Sequence, residues 1–286
     1  MKPSFMHARI SILAGALAAN FAFAGIAPAQ GTNPNKVPDK EQQADQDQQL
    51  KQRELNQAPT PAPPKVDPAE EAAYKEFYNS NPQDADTRIR LGEAFVQKYP
   101  TSRYAESVFS ALTSAYYAKQ DWKSFYAEAD KALALNPDDA TVLVIVGWVI
   151  PHDYNPESPD AAKNLDKAER YEKHAMDVIP ALTKPGNITD DEFAKSKTAL
   201  LSEAHSGLGL VYFRRQDSEN SVKELQQATQ LAAVPDPTDL FVLGLGLQSL
   251  SRYADAADAF NRCGQVPGGL QDRCKQSADT AKKQVK

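Results

Sequence analysis

The sequence predicts an all-α fold, a stack of antiparallel helix hairpins that begins near Asp67. Two observations carry this. First, one set of offsets recurs along the chain. Phe109, Leu112, Thr113 and Tyr116 are followed by Phe125, Ala129, Ala132 and Pro137. The same offsets link His205, Leu208, Gly209 and Tyr212 to Ser221, Leu225 and Ala228, and Leu240, Leu243, Gly244 and Leu247 to Ala256, Phe260 and Cys263. A unit of about 34 residues with small and large residues in fixed slots marks helix pairs that bury their apolar faces only by stacking. Second, strand-like alternation is absent after Asp67, and helix stops and caps punctuate the chain instead. Such a chain builds a surface more readily than a catalytic pocket.

The N-terminal part reads differently. Lys2 and Arg9 precede an apolar stretch, Ile10–Phe23, and Ala27-Pro28-Ala29 supplies a small-x-small site, so residues 1–29 read as a secretory signal with cleavage before Gln30. The alternative is a membrane anchor, for which the apolar core is short and is interrupted by Asn20. Residues 30–66 are rich in Gln, Asp, Lys and Pro, a composition too poor in apolar area to offset the entropy of ordering, and read as a disordered linker stiffened by Pro59, Pro61, Pro63 and Pro64. The alternative there is a Pro-rich recognition motif.

Residues 67–286 form the predicted helical domain. Pro68 opens a helix carrying Tyr74, Phe77 and Tyr78 on one face, and Ala85–Tyr99 follows with Ile89, Leu91, Ala94 and Phe95. Pro100-Thr101-Ser102 breaks that helix and caps the next. Further helices are predicted over about Arg103–Lys119, Trp122–Leu135, Ala140–Ile150, Pro159–Ile179, Asp190–Arg215, Glu219–Ala232, Thr238–Ser251, Ala254–Gly264 and Leu270–Lys283. Thr189 with Glu192 three residues later is a capping box for the longest of them. Asp138-Asp139 and Asp190-Asp191 lie at helix starts, where the macrodipole favours negative charge.

These slots resemble the tetratricopeptide repeat family. The resemblance implies a right-handed superhelical α-solenoid in which small residues sit where paired helices approach most closely. The best match is Tyr116–Pro137, with Phe125 in a slot that is small in the family and Ala129 in one that is large. The two lie four apart on one helix face, so the swap keeps the packed volume. The unit from Ala140 keeps Val146-Gly147, Ala168, Ala175 and Pro180, but Ile150–Lys167 is about nine residues longer than the family connection, and Glu172 stands where an aromatic is expected. Phe95–Glu106 is similar to a turn of bacterial envelope repeat proteins, including the outer-membrane assembly lipoprotein family, and makes Ala69–Tyr99 a first, divergent unit. Leu270–Lys283 reads as a terminal cap.

The chain carries a formal charge of −6, about −8 after loss of Lys2 and Arg9. Without a basic stripe it is a poor nucleic-acid or anionic-lipid binder. Cys263 and Cys274 flank a Gly- and Pro-rich turn, and an even count in an exported chain favours a disulfide. Two free thiols in core slots are the alternative.

Catalytic, cofactor and metal residues are expected to be absent. His152, His174 and His205 have no second ligand at metal spacing, and Gly207-x-Gly209 and Gly244-x-Gly246 lie inside helices instead of between a strand and a helix. His152 beside Asp153 keeps open a hydrolase site in the insertion. The sequence is otherwise read as non-enzymatic. The resemblance implies that the first helix of each unit lines a concave groove. On this chain that gives Ser110, Ser114 and Tyr117, then Val144, Trp148 and Pro151, then Leu210, Phe213 and Arg214, then Phe241, Leu245 and Gln248. Of these, Tyr117, Trp148, Phe213, Arg214, Phe241 and Gln248 are the candidate binding residues. The expected role is an exported scaffold that binds a protein or peptide partner in the periplasm or cell envelope. The alternative is a module for a glycan or peptidoglycan fragment, stacked on exposed Trp and Tyr.

Overall fold

A computed structural model gives the fold of residues 67–285; the expected signal (1–29), the expected linker (30–66) and Lys286 lie outside the described residues. Among the described residues there are eleven α-helices, one 3-10 turn and no strand. In chain order these are α1 (Pro68–Asn79), α2 (Ala85–Lys98), α3 (Ala105–Lys119), α4 (Trp122–Leu135), α5 (Ala140–His152), α6 (Ala161–Val178), α7 (Asp190–Arg214), α8 (Ser218–Leu231), α9 (Pro237–Ser249), α10 (Tyr253–Gly264) and α11 (Gln271–Lys282), with the 3-10 turn Ile179–Ala181 ending α6. Consecutive helices pack as five hairpins, α1/α2 through α9/α10, and α11 closes the last one. No described helix is long and apolar enough to cross a membrane.

Local chemistry explains the boundaries. Asp67, Asp84, Asp121, Asp139, Asp217 and Asp236 each accept a backbone N–H in the first turn of the helix they precede. Each satisfies an orphan donor and places negative charge at the positive end of the dipole. At α7 the capping box is complete. Thr189 Oγ1 accepts from Glu192 N at 3.2 Å, and Glu192 Oε2 accepts from Thr189 N at 2.8 Å. α3 starts two residues later than the sequence predicts. Ser102 Oγ accepts from Tyr104 N and donates to Glu70 Oε1 of α1, which spends the local cap on the turn and delays the helix to Ala105.

A second recurrence emerges only in the backbone. Gln120, Gln216 and Ser251 have φ of 57°, 63° and 59°, and each ends the first helix of one of the three units that share a register. In each case the next residue's N–H returns to the carbonyl five positions earlier: Asp121 to Tyr116, Asp217 to Tyr212, Arg252 to Leu247. This left-handed stop satisfies the last carbonyls of the helix and turns the chain sharply into its partner. α5, in the unit with the insertion, lacks it. It runs on through Pro151 to His152, and Asp153 has φ of −94°.

Three clusters of buried side chains follow one another along the stack. The first runs from Phe77 and Phe95 through Leu112, Phe125 and Val146 to Leu165. The second joins α5, α6 and α7 through Leu143, Ala175, Ile179 and Leu200. The third runs from Leu210 and Leu225 through Leu243 and Phe260 to Cys274 and Ala281. Phe125 and Ala129 are both fully buried, as the volume-conserving swap requires.

The glycine slots hold their hairpins together. A Cβ on Gly209 would lie 2.6 Å from Leu225 Cγ, and one on Gly244 would lie 2.5 Å from Phe260 Cε1. Gly209 and Leu225 are sixteen positions apart, as are Gly244 and Phe260. In the third hairpin a Cβ on Gly147 would meet Glu172 Cδ at 2.6 Å, and that pair is twenty-five positions apart. The nine extra residues leave the glycine slot facing its partner: five lengthen the connection, residues 153–160 against 215–217, and four extend the start of α6, which begins eleven positions before Glu172 where α8 begins seven before Leu225. Glu172 fills the slot that Leu225 and Phe260 fill elsewhere.

The cysteines form a disulfide between α10 and α11, with Cα atoms 5.7 Å apart. α11 buries only Cys274, Ala278 and Ala281, and its other face is polar, as expected for a cap.

Candidate interaction face

The candidate binding residues come from the first helices α3, α5, α7 and α9, and the structure places them at two depths. Tyr117, Trp148 and Phe241 are buried, whereas Phe213, Arg214 and Gln248 are half-buried. Of the flanking positions, Ser114, Val144, Pro151 and Leu210 are buried, and Ser110 and Leu245 are half-buried.

The buried part is one connected group. α5 is apolar on every side, and each residue from Val142 to Pro151 is buried among its neighbours. Trp148 presents its ring to Tyr117 of α3 edge-on, at 6.4 Å between centroids, and packs against the His152 ring at 3.6 Å. Its indole Nε1 donates to Ser206 Oγ of α7 at 3.2 Å, and Ser206 Oγ donates to Asp239 Oδ1 of α9 at 2.7 Å. A polar chain thus crosses three hairpins through the core. Burial, and then the charges of Glu203 and Asp236, push the Tyr117 hydroxyl up from its ordinary value and keep it neutral. Sequence reasoning found Trp148 and missed Ser206 and Asp239. The available signal was Ser202 and Ser206, four apart on a helix face that is otherwise apolar. Both are buried, and Ser202 Oγ donates to Ala228 O at 2.9 Å.

The half-buried part is anchored by the insertion. Arg214 Nε donates to Pro151 O at 2.9 Å, and its guanidinium lies 5.5 Å from the centre of the Tyr154 ring. Burial lowers the Arg214 pKa from its ordinary value. The insertion therefore packs on the C-terminal end of α7. Phe213 packs against the third core cluster, and at the far end Arg273 of α11 lies 4.7 Å over the Phe241 ring.

On the opposite helices, Glu169 of α6 is gripped by Lys173 at 2.6 Å and by Arg215, which also reaches Asp166 at 2.5 Å. Burial raises the Glu169 carboxyl, but these cations outweigh it and hold it down at about 2.

Each of the three histidines among the described residues has a structural contact. His152 Nδ1 lies 2.7 Å from Trp148 O, His174 Nε2 2.7 Å from Asp138 Oδ1, and His205 Nδ1 2.7 Å from Glu224 Oε2. Among the described residues no group of three His, Cys, Asp or Glu side chains is arranged to hold a metal ion. Gly207, Gly209, Gly244 and Gly246 all lie within α7 and α9.

The repeated helix pairs have the order that the tetratricopeptide resemblance implies. No family model matches the chain, and no curated protein matches it. Among solved structures it is similar to a thermophilic TPR protein of Thermus thermophilus, at 15% identity and a TM-score of 0.45, over 74% of this chain and 95% of that one.

Proposed function

We propose that this protein is a non-enzymatic helical-repeat scaffold that is exported and binds a protein or peptide partner in the periplasm or cell envelope. The observation that carries the reading is the continuous stack. Four of the five hairpins set their first helices, α3, α5, α7 and α9, in series over a buried core, and the half-buried residues of these helices mix apolar and polar chemistry. Such a face suits an extended or helical segment anchored by a few apolar side chains. Phe213, Leu245 and Gln248 are the anchoring residues, and Arg214 supplies a charge beside them. Two features support the compartment: the signal-like residues 1–29 and the Cys263–Cys274 bond, which persists in oxidising surroundings.

Crosslinking in the native host, with the partner identified by mass spectrometry, tests the binding. Changing Phe213 and Gln248 to Ala is expected to abolish the crosslink while circular dichroism stays that of the unaltered protein. Retention of the same crosslink removes this face from the proposal. Fractionation and N-terminal sequencing test the compartment: a mature chain starting at Gln30 is expected outside the cytoplasm, and an intact Met1 chain inside it contradicts export.

A further inference from the structure

We propose that Glu172 makes the joint between the third and fourth hairpins proton-dependent: closed while its carboxyl carries a proton, and opening when that proton leaves. Glu172 is wholly shielded from solvent, and neither carboxyl oxygen has a hydrogen-bond partner. The tip of the side chain lies where two missing Cβ atoms would stand, one on Gly147 of α5 and one on Gly207 of α7. These glycines belong to different hairpins, so the carboxyl is wedged in the seam that joins them. The seam is tight, since a Cβ on Gly207 would also lie 3.2 Å from Trp148 Cα. A neutral carboxyl fits this notch as Leu225 and Phe260 fit theirs. An ionised one has no partner there and needs water, which enters only if α5 and α7 part.

The surrounding charges reinforce this. α5 offers no ionisable side chain between its capping Asp139 and His152. α7 offers Glu203, whose negative charge opposes ionisation of Glu172, and His205, which pairs with Glu224. α6 offers Glu169 and Lys173, joined to each other, and α9 offers Asp239 bonded to Ser206. Lys173, the cation next to Glu172 in sequence, is thus committed to Glu169. Burial first, and Glu203 second, raise the Glu172 carboxyl well above its ordinary value of 4.5.

The sign follows from proton linkage. The closed joint holds the proton more tightly than the open one, where the carboxyl is solvated and ordinary. Closure is therefore fully favoured below about pH 4.5, and that advantage is lost as pH rises from there toward the raised value of the closed state. Over this window the opening constant grows by about tenfold per pH unit.

Backbone hydrogen exchange of the folded protein between pH 5 and 8, corrected for the intrinsic pH dependence of exchange, tests the proposal. Amides of α6 and of the α7 segment around Gly207 are expected to lose protection as pH rises, by up to about tenfold per pH unit until the closed carboxyl itself ionises, while those of α10 keep theirs. In Glu172→Gln the α6 and α7 protection is expected to be flat with pH. Glu172→Leu, which matches the apolar occupants of the equivalent slots, gives the same comparison if the Gln variant does not fold. A flat profile in the unaltered protein, or the same slope in a folded variant, overturns the proposal.

Discussion

At the scale of single residues, the same slot carries different chemistry in different hairpins. Leu225, Phe260 and Glu172 all press against a glycine of the preceding helix, but only Glu172 brings a charge that must be suppressed. The sequence showed that Glu172 departs from the pattern. It did not show its burial, because Glu172 sits among Glu169, Arg170 and Lys173, where a solvated face is the ordinary reading. The left-handed helix stops were equally hidden. A glycine at such a stop announces itself in sequence, whereas Gln120, Gln216 and Ser251 do not. A prediction follows from the strain each carries. Gln216→Gly removes a Cβ from a residue at φ 63° and is expected to stabilise the protein by about 0.5–1 kcal/mol, read as a higher urea midpoint with an unchanged slope.

At the scale of elements, helix placement was legible almost throughout, because capping and stopping are local chemistry. The aspartates at Asp121, Asp139 and Asp217, and the Thr189–Glu192 box, mark the starts in sequence as well as in structure. Exceptions arose where a distant partner took over a local group. Ser102 bonds to Glu70 and shortens the start of α3, and Arg214 bonds to Pro151 O at the end of α5. α11 buries only small side chains, Cys274, Ala278 and Ala281, and the Cys263–Cys274 bond ties it covalently to α10. Replacing both cysteines with Ser is expected to cost about 2–3 kcal/mol in urea unfolding. Hydrogen exchange is expected to show the loss first in α11. Equal loss across α5 to α9 contradicts this assignment.

At the scale of the whole molecule, stability is distributed along a line. Each hairpin touches its neighbours and little else, so a defect at one end is felt weakly at the other. Phe77 is buried against Gly92 and Phe95 in the first hairpin. Phe77→Ala is expected to remove about 3–5 kcal/mol from that end, and the protection of α10 amides is expected to stay unchanged. Fully cooperative loss along all eleven helices contradicts a linear stack. The chain that runs from Trp148 through Ser206 to Asp239 is an exception to purely pairwise contact, since it ties three hairpins with two hydrogen bonds.

The sequence by itself determined the helix pairs, their order and the register of the glycine slots, and favoured the cysteine pair that the structure joins. All of these depend on short-range spacing and on the chemistry of caps and turns, which a chain carries locally. Only the tertiary structure decided which of the candidate binding residues remain near solvent. Tyr117 and Trp148 sink into the core because α5 is packed among α3, α4, α6 and α7, and Phe241 sinks between Phe260 of α10 and Arg273 of α11, while Phe213, Arg214 and Gln248 stay at the edge. That depth is a sum of contacts from several hairpins, and no spacing within one hairpin encodes it. The same packing buries Glu172 between Gly147 and Gly207, two residues sixty positions apart that meet only in the folded stack.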